Sequence, residues 1–413
     1  MAGWRHGAGI RRLLRPARRA GASGGTRPPS AGRVRSRVAL ALGLLAMLTL
    51  AGCWDESDPK TLDVVESLGF TQGAGQGYDV LAQVPTAAFL SGLLPGSAGG
   101  GGASSGPLAF VTAASGVTVP MAVAAMDRMT GKSIYLGQTR VYFVDAGLAR
   151  AGLTGLVDQM QQMAMLPRGI PLVVIDGPLQ PLLQAKLAGT TMAGRFIDLY
   201  FRSTQGRDLT KVPLWSLFVA LDTPGTEPTL PVFRMATAGD QPTMEAEGTG
   251  VFLGGRMVSI LTGVNNRGLQ FWTNSVDGQV IAVPSPVGPV TIDTVGSHMT
   301  FAVRVARDAA AGVAPVLQAQ VRVTGAIRIG PPLMAPVDFQ QIQDAVSAQV
   351  QSDMESAFRA LQAAHADAIG AGTWLYYHDP HAFAGLQPWP RTFSRLTLDL
   401  RVVTVLQTTG WGS

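Results

Sequence analysis

The chain has 413 residues, 46% hydrophobic and 14% charged, with 32 Lys and Arg against 27 Asp and Glu. Ten of the arginines lie in residues 1–52, which carry no Asp or Glu, so residues 53–413 hold 22 basic against 27 acidic groups. The basic excess belongs to the leading segment alone, which excludes a nucleic-acid partner argued from net charge.

The first predicted element is that leading segment. Arginines from Arg5 to Arg37 precede an unbroken apolar run, Val38–Leu50, which ends in Leu50-Ala51-Gly52-Cys53. A basic stretch, a short apolar run and small residues at a cut site make the layout of a secretory signal. A membrane-spanning helix needs roughly 20 apolar residues, and this run is shorter. Leucine, two small residues and cysteine form the lipobox pattern. Small side chains admit the backbone to a peptidase between Gly52 and Cys53, and the Cys53 thiol takes a diacylglyceryl group. Cys53 is the only cysteine, so an internal disulfide is impossible and lipidation gives it a purpose. Residues 1–52 are therefore expected to be a signal peptide, with the mature protein held on the outer face of a membrane by lipid on Cys53. The leader is long for a signal; a translation start near Val34 or Val38 would leave Arg35 and Arg37 as its positive region.

The roughly 360 residues that follow suffice for two or three domains. Val64 to Phe70 and Tyr78 to Val84 read as strands joined by a turn at Gly73–Gly77. Residues 96–106 are low complexity and read as a flexible surface loop. A strand at Leu108–Thr112, a helix at Val119–Arg128, a strand at Tyr142–Asp145, a helix at Leu153–Met165 and a buried strand at Leu172–Ile175 come next. Thr130-Gly-Lys-Ser133 matches the end of a P-loop, but Met126 stands where the motif needs glycine, inside the predicted helix. Residues 181–221 read as mostly helical, with Leu182, Leu183, Leu187, Phe196, Leu199 and Tyr200 as candidate core. Pro224, Pro228 and Pro231 mark a boundary.

Beyond it, Gly250–Leu253 and Arg256–Leu261 flank Gly254-Gly255, a hairpin signal, and Leu269–Trp272 reads as another strand. Alternation predicts half-buried strands at Phe301–Val305, Leu317–Val323 and Leu396–Val402. Between the last two, a helix is expected from Asp338, as N-cap, to about His365. Its apolar face is Phe339, Ile342, Val346, Val350, Met354, Phe358 and Leu361, and its use is packing onto the sheet. The fold class is α+β: mixed and antiparallel sheets with packed helices in two to three domains. The C-terminal part is an antiparallel sheet with one long amphipathic helix. The expected divisions are 1–52, 53–235 and 236–413.

Catalytic signals are weak. The mature chain has four histidines, and Tyr377-His-Asp-Pro-His381 is the only cluster of metal-ligand types. His378 and His381 read as members of a proline-containing surface loop, where Asp379 or Asp367 would have to complete a ligand set. No Gly-x-Ser-x-Gly elbow appears. The reading is a non-enzymatic protein without a cofactor or metal.

Taken together, the motifs resemble the C-subunit lipoproteins of spore germinant receptors, the Ger(x)C (GerAC-like) family. The likeness starts at Leu50-Ala-Gly-Cys-Trp-Asp55 and continues through Gly69, Gln83, the glycine-rich loop, Ala114-Ser-Gly-Val-Thr118, Gly250–Val258 and Asn266-Arg-Gly-Leu269. It extends to the long helix, Ala366-Asp-Ala-Ile-Gly370, Leu386-Gln-Pro-Trp389 and a closing strand ending near Gly410. The chain departs from the family pattern where an acidic residue is usual near Asn265 and a basic one near Gln138, and it is less charged than typical members. The resemblance implies a three-domain α+β lipoprotein on the outer leaflet of the spore inner membrane. It would stand beside two membrane-spanning subunits, A and B, and respond with them to nutrient germinants. The alternatives are a lipoprotein that itself binds a small solute, marked by a deep cleft between two similar lobes, and an anchored hydrolase.

Overall fold

The computed structural model describes residues 61–407, apart from 76, 87–108, 189, 191, 204–208, 277, 306–313 and 331–335. Gly52, Cys53 and the 96–106 loop lie outside the described residues. Among those described, fourteen strands form three sheets.

The largest sheet is built on β2 (Ser67–Gln72), β3 (Tyr78–Pro85), β4 (Ala109–Gly116), β6 (Val141–Asp145), β7 (Leu172–Ile175), β8 (Thr229–Ala238), β9 (Gln241–Leu253) and β10 (Arg256–Leu261). Its order is β10-β9-β8-β7-β6-β2-β3-β4; the four central strands run parallel and the outer ones antiparallel. β1 (Leu62–Val64) and β5 (Ser133–Tyr135) make a short parallel pair beside it. Central parallel strands are covered on both faces, which is why Leu172–Ile175 is apolar without alternation. Leu172 and Val174 enter one core with α1 (Val119–Thr130), α2 (Ala146–Ala151), α3 (Thr154–Gln162) and α6 (Leu214–Asp222). Val173 and Ile175 enter the other, with α4 (Leu179–Gln184) and α5 (Ala193–Ser203). Leu182, Leu183 and Leu187 are buried as expected, whereas Leu199 is 50% exposed. Thr130 and Gly131 end α1, and Lys132 pairs with Asp63 at 3.0 Å. A helix C-terminus repels anions, so the P-loop likeness is chance.

The 235/236 division falls inside β8, and β8 to β10 continue the large sheet across it. Gly254 and Gly255 both take positive φ (57° and 78°), the mirror-image turn that a two-residue hairpin loop requires.

Leu269–Trp272 is not a strand: Gly263–Trp272 is helix α7, and Leu269 to Trp272 are all buried. Four adjacent apolar or amide side chains give no periodicity, so the sequence leaves helix and strand indistinguishable there.

The C-terminal sheet has the order β11 (Val280–Ser285), β12 (Gly288–Arg304), β13 (Val316–Ile329), β14 (Thr397–Gln407). It is mixed, not wholly antiparallel: β14 runs parallel to β13. A parallel neighbour needs a long crossover, and α8 (Pro336–Ala363) lies within it. Asp338 sits in the first turn of α8, not at its cap, because the helix already includes Pro336 and Val337. The stripe from Ile342 to Leu361 is buried with Leu317, Val321 and Val323 of β13 in one core, which Val251 and Leu261 of the large sheet also enter. Three short helices, α9 (Ala371–His378), α10 (Pro380–Gly385) and α11 (Trp389–Phe393), follow α8. No helix among the described residues is long and apolar enough to cross a membrane.

Candidate functional site

Several of the motifs marked by the family resemblance gather at two places in the fold. The first is a clasp between α7 and α8. Arg267 Nε donates to Asp353 Oδ2 at 2.6 Å, and Gln349 Nε2 donates to Asp353 Oδ1 at 2.9 Å. Asp353 is 2% exposed, so the guanidinium offsets a desolvation that an isolated carboxylate could not meet. Asn266 Oδ1 accepts from Thr249 Oγ1 of β9 at 2.6 Å, and Trp272 Nε1 donates to the Met354 carbonyl at 2.9 Å. Between them, a Cβ on Gly268 would stand 2.1 Å from the Asp353 carbonyl oxygen. The Asn-Arg-Gly sequence thus has a division of labour. Asn266 ties α7 to the large sheet, Arg267 ties it to α8, and Gly268 permits the backbone approach.

The second place is a seam where the proline-rich 223–228 segment meets the C-terminal helices. Asp367 is 1% exposed, and its carboxylate accepts five N–H groups. Oδ1 takes Ile369, Gly370 and Ala371 at 3.2, 2.8 and 3.2 Å; Oδ2 takes Gly372 at 2.8 Å and Trp389 Nε1 at 2.9 Å. Burial raises the Asp367 carboxyl above the ordinary aspartate value, opposed by the donors of Gly372, Trp389, Ala371 and Gly370. The Asp367 carbonyl in turn accepts from Glu227 N–H at 2.8 Å and Thr226 Oγ1 at 3.3 Å. Gly225, at φ 77°, packs against Gly372 so closely that a Cβ would lie 2.4 Å from its carbonyl carbon. Glu227 Oε2 accepts the Gly254 N–H at 3.0 Å, which brings the hairpin turn into the seam. Burial pushes the Glu227 carboxyl up, and the nearby Asp367 charge adds to the rise. A cleft of about 430 Å³ opens here, lined by Glu227, Asp367, Phe383 and Trp389 among others.

Chemically, the seam holds chain segments together. Every partner of the Asp367 carboxylate is a donor already in place, which leaves no oxygen lone pair directed at a substrate or metal. His378 and His381 do not form the surface loop expected of them. His378 ends α9, Asp379 caps α10 through the Ala382 N–H, and His381 lies within α10. Proline at the first helical position and Asp as the cap start a new helix here. The His378 ring stacks on Trp374, centroids 4.0 Å apart. Among the described residues, no group of three or more His, Cys, Asp or Glu could hold a metal ion.

Gln83, noted in the sequence, is also buried: its Nε2 donates to the Leu183 carbonyl of α4 at 2.6 Å, and Ser67 Oγ donates to its Oε1 at 2.9 Å. Gly69 lies under the same helix, where a Cβ would stand 2.8 Å from Leu179 Cδ2. Sequence reading missed Asp353 and Glu227. Asp353 carried a signal, since it is an acid beside Val350 and Met354 on the apolar stripe of α8. Glu227 carried none.

Residues 55–235 match the model of the spore germination protein N-terminal domain. Residues 247–410 match that of the spore germination B3/GerAC-like C-terminal domain. The first match ends within β8 and the second begins within β9, with residues 236–246 between them. A search of curated proteins returned no match. Among solved structures, the chain is similar to the crystal structure of the GerBC protein. That likeness has 12% identity and a TM-score of 0.51, and covers 82% of this chain and 96% of the other. With both domains matched in order along most of its length, the chain belongs to the GerAC-like family of spore germination proteins.

Proposed function

We propose that the protein is the lipid-anchored, non-enzymatic C subunit of a nutrient germinant receptor. The observation that carries this reading is the order of parts: a lipobox ending at Cys53 runs directly into the two germination-protein domains at residues 55–410. The anchor is the Cys53 thioether with its diacylglyceryl group. It holds the mature chain on the outer leaflet of the spore inner membrane beside the membrane-spanning A and B subunits. A seam and a clasp whose carboxylates are committed to internal donors support a role in assembly over one in catalysis.

The anchor is tested by fractionating sporulating cells that carry Cys53→Ala. One acyl chain binds a bilayer marginally, whereas two give a lasting anchor. The variant should therefore leave the membrane fraction for the soluble one while remaining folded. Retention of exported Cys53→Ala protein on the membrane would contradict the anchor.

A further inference from the structure

Strand β14 forms one edge of the C-terminal sheet, pairing among the described strands with β13 alone. In a parallel pair, alternate residues turn their N–H and C=O toward the neighbour and the others turn away. Thr397 N–H donates to the Pro315 carbonyl at 3.1 Å, so the odd-numbered residues face β13 and the even-numbered ones face outward. On both sides of the segment 398–402 outward groups are occupied by α8: before it, the Leu396 carbonyl accepts from Gln362 Nε2 at 2.9 Å. The N–H groups of Thr404 and Leu406 donate to Ser347 Oγ and Gln343 Oε1 of α8, each at 3.0 Å. Leu398, Leu400 and Val402 share that outward orientation without such a cap among the described residues. Their side chains, on the α8 side of the sheet, are only half-buried.

Exposed edges are usually blunted by charge, proline or a bulge. Here the charges are Asp399 and Arg401, which flank Leu400 symmetrically on the opposite face and are both exposed. Asp399 accepts from Gln318 Nε2 at 3.0 Å, while Arg401 has no carboxylate partner among the described residues. Two copies of this edge, run antiparallel about Leu400, place Leu398 opposite Val402 and Asp399 opposite Arg401. Leu400 faces its own copy. The even-numbered residues become the hydrogen-bonded rungs. The Asp399–Arg401 pairs become the non-hydrogen-bonded ones, where facing side chains are closest. Shifting the axis to Asp399 or Arg401 would set like charges against each other, so the charges favour the register about Leu400, which sets them in opposite pairs. The edge is complementary to itself.

We propose that Leu398–Val402 is a homodimerisation edge, through which two copies of the chain join their C-terminal sheets antiparallel about Leu400. The occupant is a second copy because the opposite-charge order that an antiparallel partner must present is the one this segment carries. The proposal does not depend on the receptor assignment.

The test is sedimentation velocity of the full-length chain in detergent over a concentration series. Wild type should self-associate. Asp399→Arg and Arg401→Asp should each weaken association about tenfold, because each sets like charges opposite at both symmetry-related rungs. The double variant Asp399→Arg/Arg401→Asp restores opposite charges and should regain most of the loss, which also shows that the single variants were folded. The proposal is overturned if wild type stays monomeric throughout, if the single variants associate like wild type, or if the double variant is no better than either single one.

Discussion

The seam and the clasp each bury an aspartate, and they hold it by different means. At the seam, Asp367 is gripped by four backbone N–H groups of residues 369–372, at and just before the start of α9, and by one indole. At the clasp, Asp353 is met by the flexible side chains of Arg267 and Gln349, and the approach is fixed by the absence of a side chain on Gly268. The seam is therefore ordered by charge meeting fixed dipoles, the clasp by sterics with charge added. The two should fail differently when altered.

The largest expected effect is at the seam. Asp367→Ala leaves five donors without an acceptor, three of them buried, and should cost about 3–5 kcal/mol in chemical unfolding. Asp367→Asn should recover little, because its amide nitrogen would face donors. If Asn proves nearly neutral, the seam is not ordered by the charge. The next effect is at the clasp. Gly268→Ala presses a methyl group onto the Asp353 carbonyl and should cost about 2–3 kcal/mol. A neutral Gly268→Ala would mean that the helices separate freely and that Arg267 alone sets the clasp.

The smallest effect is a pH dependence. Glu227 titrates above its ordinary value of 4.5 in the folded protein, so the folded state holds that proton more tightly than the unfolded state. Its contribution to stability is full below that ordinary value and is lost as pH rises through the raised one. Glu227→Gln keeps an acceptor for the Gly254 N–H and removes the titration. Relative to wild type, the variant should be more stable at pH 7 than at pH 4. A difference that does not change with pH would place Glu227 in water.

Much of the fold was legible in the sequence because period and burial agree. Leu317–Val323 alternates, the α8 stripe steps by three and four, and Gly254-Gly255 marks a hairpin by backbone chirality. Where burial is continuous, period disappears, and Leu269–Trp272, the end of α7, reads as a strand for that reason. The parallel pairing of β14 was hidden because alternation is the same in either direction. The seam was only half legible. Asp367 and Trp389 stand in motifs marked by resemblance, but Thr226 lies 141 residues from Asp367, and no local spacing links them. Asp399 and Arg401 carry no signal in the sequence; their self-complementary charge has meaning only because β14 is an edge.

Membership of a germinant receptor complex is open to test by isolation from native membranes. Affinity-tagged protein at its own locus, extracted from spore membranes in mild detergent, should bring down two multi-spanning membrane proteins in constant ratio, identified by mass spectrometry. Recovery of the chain without membrane-spanning partners, from spores in which it is present, would rule out that membership.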